Sequence, residues 1–294
     1  MPCMTASSLT GELLRSVSRS FYLTISWLPV EMRNAVATAY LLARATDSVA
    51  DACAAPLSRR TEALQMMAAA IAGEPVDTAK LMHTLRTTLS ADTPAEGELL
   101  SRFDEALQAM LTLPKQQLYL VRHVLSAIIQ GQLWDLSFFE AHLQVLSDEQ
   151  TRFYIYHVAG CVGRFWTELG NLVLGSRFCP NDQPEEMAEA GIRYGCGLQL
   201  VNILRDREED ARRGRSYLCS DPALWLERAE RYLRDGVDYS RRLGSFRLRF
   251  ASMLPALLGL KTLSALRRAR PGQRVKIPRR AVYASMLRAL FACW

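Results

Sequence analysis

Apolar residues recur at intervals of three and four along almost the whole chain, and no stretch sustains a period of two. That spacing gives a series of helices, each with one apolar stripe. A strand would need alternate residues on one face, so a sheet is not expected as the main element. Gly and Pro number 16 and 12 in 294 residues and fall mostly between the periodic stretches. There they end one helix and let the next begin. Helical runs are expected over 30–50, 57–72, 78–89, 97–112, 115–131, 135–145, 148–175, 184–212, 221–243, 247–270 and 278–291. Pro29 suits a first turn, Asp148 and Glu149 suit a helix start, and Pro255 is expected to kink its helix. With no internal repeat and no low-complexity linker, the simplest organisation is a single all-α domain over 1–294.

Hydrophobic residues make up 49% and charged residues 22%, so the chain can bury a large core and is not of disordered composition. The net charge of +6 and the pI near 9.0 suit nucleic acid, an anionic membrane surface or an acidic small substrate. No helix-turn-helix or zinc-finger spacing occurs, so no nucleic-acid partner is expected. One basic group, Arg205, Arg207, Arg212, Arg213 and Arg215, surrounds a set of acids; a second runs from Arg267 to Arg280 and suits a solvated tail or a membrane surface. The seven cysteines are odd in number, scattered and without a Cys-x-x-Cys pair, which fits a reducing compartment rather than a disulfide framework or zinc site. No basic-then-apolar leader opens the chain. The apolar stretch Met253 to Leu266 is too short to span a membrane and contains Lys261. A cytoplasmic protein, soluble or peripheral on a membrane, is expected.

Two acidic patterns carry the chemistry. Asp47 and Asp51 lie four apart at the end of the 30–50 run and share a face with Tyr40 and Arg44. Like charges at that spacing repel, so a purely structural helix gains nothing from them. Two carboxylates on adjacent turns can hold a hard divalent cation such as magnesium, which takes few carboxylates plus waters and phosphate oxygens. In 184–212, Gln199, Asn202, Asp206 and Asp210 form a second polar stripe, while Leu200, Ile203 and Leu204 point elsewhere to anchor the helix. Asn202 adds a neutral oxygen ligand. Arg205 and Arg215 supply cations suited to phosphate oxygens. On separate helices of an apolar protein, such stripes can face one another across a cavity, with magnesium and diphosphate at its mouth and hydrocarbon within. Ordinary surface ion pairs are the competing explanation of each pattern taken alone.

These residues resemble the squalene and phytoene synthase family in four blocks. Ser18-Arg19-Ser20-Phe21 with Leu28-Pro29 and Arg33 is similar to its opening motif. Tyr40 to Asp51 is similar to its first aspartate-rich motif, and Gln199 to Asp210, continuing to Arg215-Ser216-Tyr217, to its second. Tyr154 to Gly163 is similar to its Tyr-rich Val-Ala-Gly segment. The resemblance spans most of 15–220. It implies an isoprenoid synthase fold around a central apolar cavity, with Asp47, Asp51, Asn202, Asp206 and Asp210 as magnesium ligands. It also implies diphosphate contacts from Ser18, Arg19, Ser20, Arg44, Arg205 and Arg215, and places Tyr40 and Gln199 near the reacting centre. His157 stands where squalene synthases carry a Tyr, and Tyr156 lies one position earlier; either is a candidate acid/base group, with Tyr156 preferred.

The activity implied is head-to-head condensation of two farnesyl diphosphates through presqualene diphosphate to squalene, a hopanoid or sterol precursor, with Mg2+ and NADPH. Sister outcomes are release of presqualene diphosphate, quenching by water to hydroxysqualene, or proton loss to a phytoene- or dehydrosqualene-type triene. No Gly-x-Gly-x-x-Gly fingerprint marks a dinucleotide site. A terpene cyclase or head-to-tail prenyltransferase is a rival, although neither acidic motif has the adjacent aspartates usual there. A helical interaction scaffold with solvated acidic stripes is the non-enzyme alternative.

Overall fold

A computed structural model describes residues 9–18, 21–52, 54–88, 94–141, 145–270, 275 and 277–292. Among them helices account for nearly all regular structure, with one isolated bridge between Val145 and Ser216 and no strand. The all-α expectation is met. By packing, the chain divides into two compact units. The first takes the N-terminal segment through Ser26 and Val30–Ser137; the second takes Trp27–Pro29 and residues from Phe138 onward.

In the first unit a π-helical turn (Leu9–Leu13) leads into α1 (Leu14–Ser18) and α2 (Phe21–Trp27, whose last residue packs with the second unit), which the sequence reading left unassigned. The central element is α3 (Val30–Ala50). Its buried residues Met32, Ala35, Ala39, Leu42, Thr46 and Val49 recur at three and four, the stripe that the periodicity predicts. Around it lie α4 (Leu57–Ala72), α5 (Thr78–Thr88), α6 (Pro94–Ser101), α7 (Phe103–Leu111) and most of α8 (Lys115–Ala141). Gly73 closes α4 at φ +88, a left-handed conformation that costs glycine nothing. Two boundaries differ from expectation. The single run over 97–112 is broken at Arg102, whose backbone leaves the helical region and whose guanidinium binds Glu105 through Nε and Nη2. The two runs 115–131 and 135–145 are instead one helix to Ala141, because polar Gln132 finds a buried partner and does not end the helix.

The second unit contains α9 (Asp148–Ile155), a π-helical turn (Tyr156–Gly160), α10 (Cys161–Leu174), α11 (Pro184–Arg212), α12 (Pro222–Arg242), α13 (Phe246–Leu266) and α14 (Arg279–Ala292). Ser147 and Gln150 form a reciprocal capping box at the start of α9, which adds to the acidic first turn that the sequence suggested. Asp221 caps α12 ahead of Pro222. Trp225, Ala229, Leu233 and Tyr239 then bury one stripe of α12, each large side chain contributing roughly 1.5–3 kcal/mol. α13 continues through Pro255. It packs on α14 through Phe250, Met253, Leu254, Leu257 and Ala289.

α11 is the axis of this unit, and glycines let its neighbours come close. A Cβ at Gly195 would lie 2.3 Å from the Ala159 carbonyl oxygen, and one at Gly163 would lie 1.9 Å from that of Gly191. On another side, a Cβ at Gly197 would meet Tyr232 of α12 at 2.8 Å. No larger residue fits these contacts without moving a backbone. Cys161, Cys179 and Cys196 are buried, and all four described cysteines are free. No helix among the described residues is long and apolar enough to cross a membrane.

Candidate active site

In the first unit the acid pair sits at the C-terminal end of α3. Asp47 is half-buried, whereas Asp51 is exposed in the turn that follows. Burial pushes the Asp47 carboxyl up to about 7, and the charge of Asp51 adds to the rise; Arg44 and a hydrogen bond from Gln132 oppose it. Gln132 Nε2 donates to Asp47 Oδ1 at 2.6 Å. A buried carboxylate beside a second one is unstable as an anion unless a cation joins it. Arg44 is already paired with Glu96 of α6, and its Nε has no hydrogen-bond partner among the described residues. Tyr40, one turn before Arg44, is half-buried; its hydroxyl reaches the Val17 carbonyl at 3.4 Å and its ring lies 5.9 Å from that of Phe21. Burial raises its pKa, Arg44 lowers it and Asp47 raises it. Ser18 is buried, with its hydroxyl donated to the Leu14 carbonyl one turn back. Arg19 and Ser20 lie outside the described residues.

The sequence reading missed two partners here. Glu96 neutralises Arg44, and Gln132 holds Asp47. Gln132 and Asp135 lie three apart on α8 and are 6% and 4% exposed. Polar residues at core positions of an apolar helix were the available signal, obscured because they read as a break between two helices.

In the second unit the polar stripe of α11 falls where the spacing puts it. Leu200 and Ile203 are buried and Leu204 is half-buried, while Gln199, Asn202, Asp206 and Asp210 face outward to differing degrees. Asn202 Nδ2 donates to Gln199 Oε1 at 3.3 Å. Arg205 binds Asp206 through both Nε, at 2.9 Å, and Nη2. The Arg205 guanidinium, expected on diphosphate oxygens, thus lies on the neighbouring carboxylate. The helix ends in a double cap: Gly214 at φ +75 donates to Ala211 O at 3.0 Å and Arg215 donates to Asp210 O at 2.9 Å. That turn fixes the direction in which Arg215 leaves. The chain is then tied to α9, with Leu146 donating to Ser216 O and Thr151 to Tyr217 O, at 2.9 and 2.6 Å. The Tyr217 ring stacks on Tyr154 at 4.8 Å.

The Tyr-rich block is not the single helix expected over 148–175. Tyr156–Gly160 forms a π-helical turn between two α-helices. Such turns hold one extra residue and occur often at functional sites. Here the turn brings Ala159 and Gly160 against Gly195 and Cys196 of α11. Tyr156 is half-buried, with its ring edge-on to His157 at 5.2 Å. His157 Nδ1 donates to the Phe153 carbonyl at 2.9 Å and its ring packs on Phe153 at 4.0 Å, so a local partner satisfies it.

Among the described residues no three acidic, imidazole or thiol groups converge as a ready metal cluster. A magnesium ion needs no such cluster, since one or two carboxylates and the substrate's phosphate oxygens suffice. Asp47, half-buried and costly to ionise alone, fits that donor chemistry.

A family model described as squalene/phytoene synthase matches residues 14–227. The chain belongs to the squalene/phytoene synthase family. The match takes in both acidic helices and the π-helical turn. Phytoene synthase of Arthrospira platensis is 28% identical over 251 residues, covering 80% of this chain and 70% of that protein. Squalene synthase of Schizosaccharomyces pombe is 29% identical over 203 residues, covering 68% and 41%. The chain spans between 34% and 44% of the length of the first fungal and plant relatives that it matches. The solved squalene synthase HpnC from Alicyclobacillus acidocaldarius superposes with a TM-score of 0.56 at 22% identity, over 90% of this chain and 93% of that one. The fold is thus the isoprenoid synthase type seen in squalene synthases. Relatives named squalene synthase and relatives named phytoene synthase are about equally similar to this chain, so the comparisons do not single out one of the two names.

Proposed function

We propose that this family member joins two farnesyl diphosphates head to head through presqualene diphosphate and converts that intermediate to squalene with NADPH. The observation that carries the reading is Asp47, one turn before Asp51 at the end of the first aspartate-rich helix, with its Oδ1 held at 2.6 Å by the buried amide of Gln132. Asp47 and Asp51 on α3, and Asn202, Asp206 and Asp210 on α11, are read as magnesium ligands. Magnesium, when bound, supplies positive charge against the leaving diphosphate. Ser18, Arg19, Ser20, Arg44, Arg205 and Arg215 are read as diphosphate contacts. For Arg44 and Arg205 this means exchanging a carboxylate partner for phosphate oxygens, a swap between like acceptors. Stabilisation of the leaving group lets the donor's allylic carbon ionise with release of diphosphate; the acceptor's double bond then attacks that carbon, and loss of one proton from it to a base closes the cyclopropane of presqualene diphosphate. Tyr40 and Gln199 are read as lining the reacting centre. Tyr156 is the preferred acid/base group, because His157 Nδ1 is spent on Phe153. The hydrocarbon product partitions into lipid, which supports a cytoplasmic enzyme held peripherally on the membrane, with the basic segment around Arg267 to Arg280 as the contact.

Similarity to phytoene synthases supports a second outcome, in which the final cation loses a proton instead of receiving hydride. One experiment separates these. The full chain is incubated with farnesyl diphosphate and Mg2+, with and without NADPH, and the extract is analysed. Squalene formed only with NADPH is expected. Hydroxysqualene or a triene without NADPH moves the assignment to a sister activity, as does accumulation of presqualene diphosphate. No consumption of any prenyl diphosphate overturns the enzyme reading in favour of a helical scaffold.

A further inference from the structure

The Gln132 amide makes one hydrogen bond and leaves its other end unused. Its Nε2 donates to Asp47 Oδ1 at 2.6 Å, while its Oε1 is buried and has no hydrogen-bond partner among the described residues. The side chain belongs to a residue 6% exposed, on an α8 face that also buries Val121, Val124, Leu125 and Ile128. An amide oxygen left unpaired in such surroundings costs about 1–3 kcal/mol, so a site that keeps it has a use for it. With Asp47 ionised, as a metal ligand must be, turning the amide over is no remedy, because Oε1 would then face the carboxylate, acceptor against acceptor.

We propose that Gln132 is a positioning residue of the magnesium site, fixing the Asp47 carboxylate with its Nε2 and offering its Oε1 to a metal-bound water. The proposal rests on the magnesium reading given above. By occupying Oδ1, the amide holds the carboxylate in one orientation and leaves Oδ2 as the atom offered to a cation. Water on a divalent cation is a strong donor, which suits a buried acceptor with nothing else to bind. Partners of this kind orient ligands, and their loss typically lowers metal affinity about 10–100-fold. Such a role needs a side chain of glutamine's length that both donates and accepts, a demand that packing alone would not make.

The test measures Mg2+ binding to the full chain by calorimetry, with inorganic pyrophosphate as co-ligand, and Mg2+ dependence of turnover. Gln132→Met keeps the volume and removes both polar ends; Gln132→Asn keeps the amide but is one methylene shorter. Both variants are expected to weaken Mg2+ binding by about 10–100-fold, while the KM for farnesyl diphosphate at saturating Mg2+ changes less than about twofold. Wild-type Mg2+ affinity in Gln132→Met overturns the proposal. If that variant does not fold, wild-type affinity in Gln132→Asn does the same. A loss of turnover that excess Mg2+ leaves uncorrected, with binding intact, also overturns it. If the unaltered protein binds no Mg2+ with pyrophosphate, the magnesium reading itself falls, an outcome distinct from equal binding by protein and variants.

Discussion

The acid pair on α3 and the acid pair on α11 share a spacing of four and little else. Asp47 is half-buried, pushed towards its neutral form, and held by an uncharged amide. Asp206 is half-exposed and already bound at both oxygens by a guanidinium. The first carboxylate shares its nearby cation, Arg44, with Glu96, and the second has a guanidinium of its own. Equal spacing therefore does not make equal sites: on the magnesium reading proposed above, the first would gain most from a metal ion, and the second would have to release an arginine to accept one.

The largest test of this contrast is removal. Asp47→Ala and Asp206→Ala are each expected to lower product formation by at least about 10³-fold while the helical circular dichroism signal stays unchanged, since loss of a metal ligand removes charge stabilisation worth several kcal/mol. Normal turnover in either variant contradicts the assignment of that stripe. A smaller separation is expected in thermal unfolding without Mg2+. The Asp47 carboxyl titrates near 7 in the folded chain against an ordinary 3.8, so it is neutral when folded and ionised when unfolded between those values. Its contribution is complete below about pH 4 and is lost as pH rises through about 7. Asp47→Asn should match the unaltered protein at about pH 4 and exceed it by a few kcal/mol at about pH 8. A difference that does not vary with pH breaks the argument. Asp206→Asn only loosens an exposed pair and should change stability by less than about 1 kcal/mol. The smallest effect concerns the π-helical turn: Tyr156→Phe is expected to lower turnover about tenfold or more and His157→Ala less than about threefold. The reverse order would make His157 the working group.

Much of this was legible because helices with one buried stripe announce themselves. The run from Met32 to Val49 and the outward stripe from Gln199 to Asp210 are set by a period of 3.6, which needs no tertiary information. The failures have the opposite character. Gln132 falls in the gap between two expected runs until its partner, 85 positions earlier, is known. Arg102 reads as helical until its bidentate hold on Glu105 is seen. The turn at Tyr156–Gly160 differs from an ordinary helix by a shift in hydrogen-bond register, which composition does not record; what selects it is the backbone of α11 approaching Ala159 and Gly160. The resemblance of blocks proposed the site residues, but not which carboxylate is shielded beside a buried amide or which arginine already has a carboxylate partner.

The glycine contacts along α11 have a mechanical consequence. Gly191 and Gly195 on one flank bring that helix directly against the backbone at Gly163 and Ala159, and Gly197 on another seats the Tyr232 side chain. Rotation or sliding would drive carbonyl oxygens into Cα atoms, so the rod is keyed in place. Asn202, Asp206 and Asp210 are thus carried on a helix whose seat against its neighbours is set by close contact at glycines.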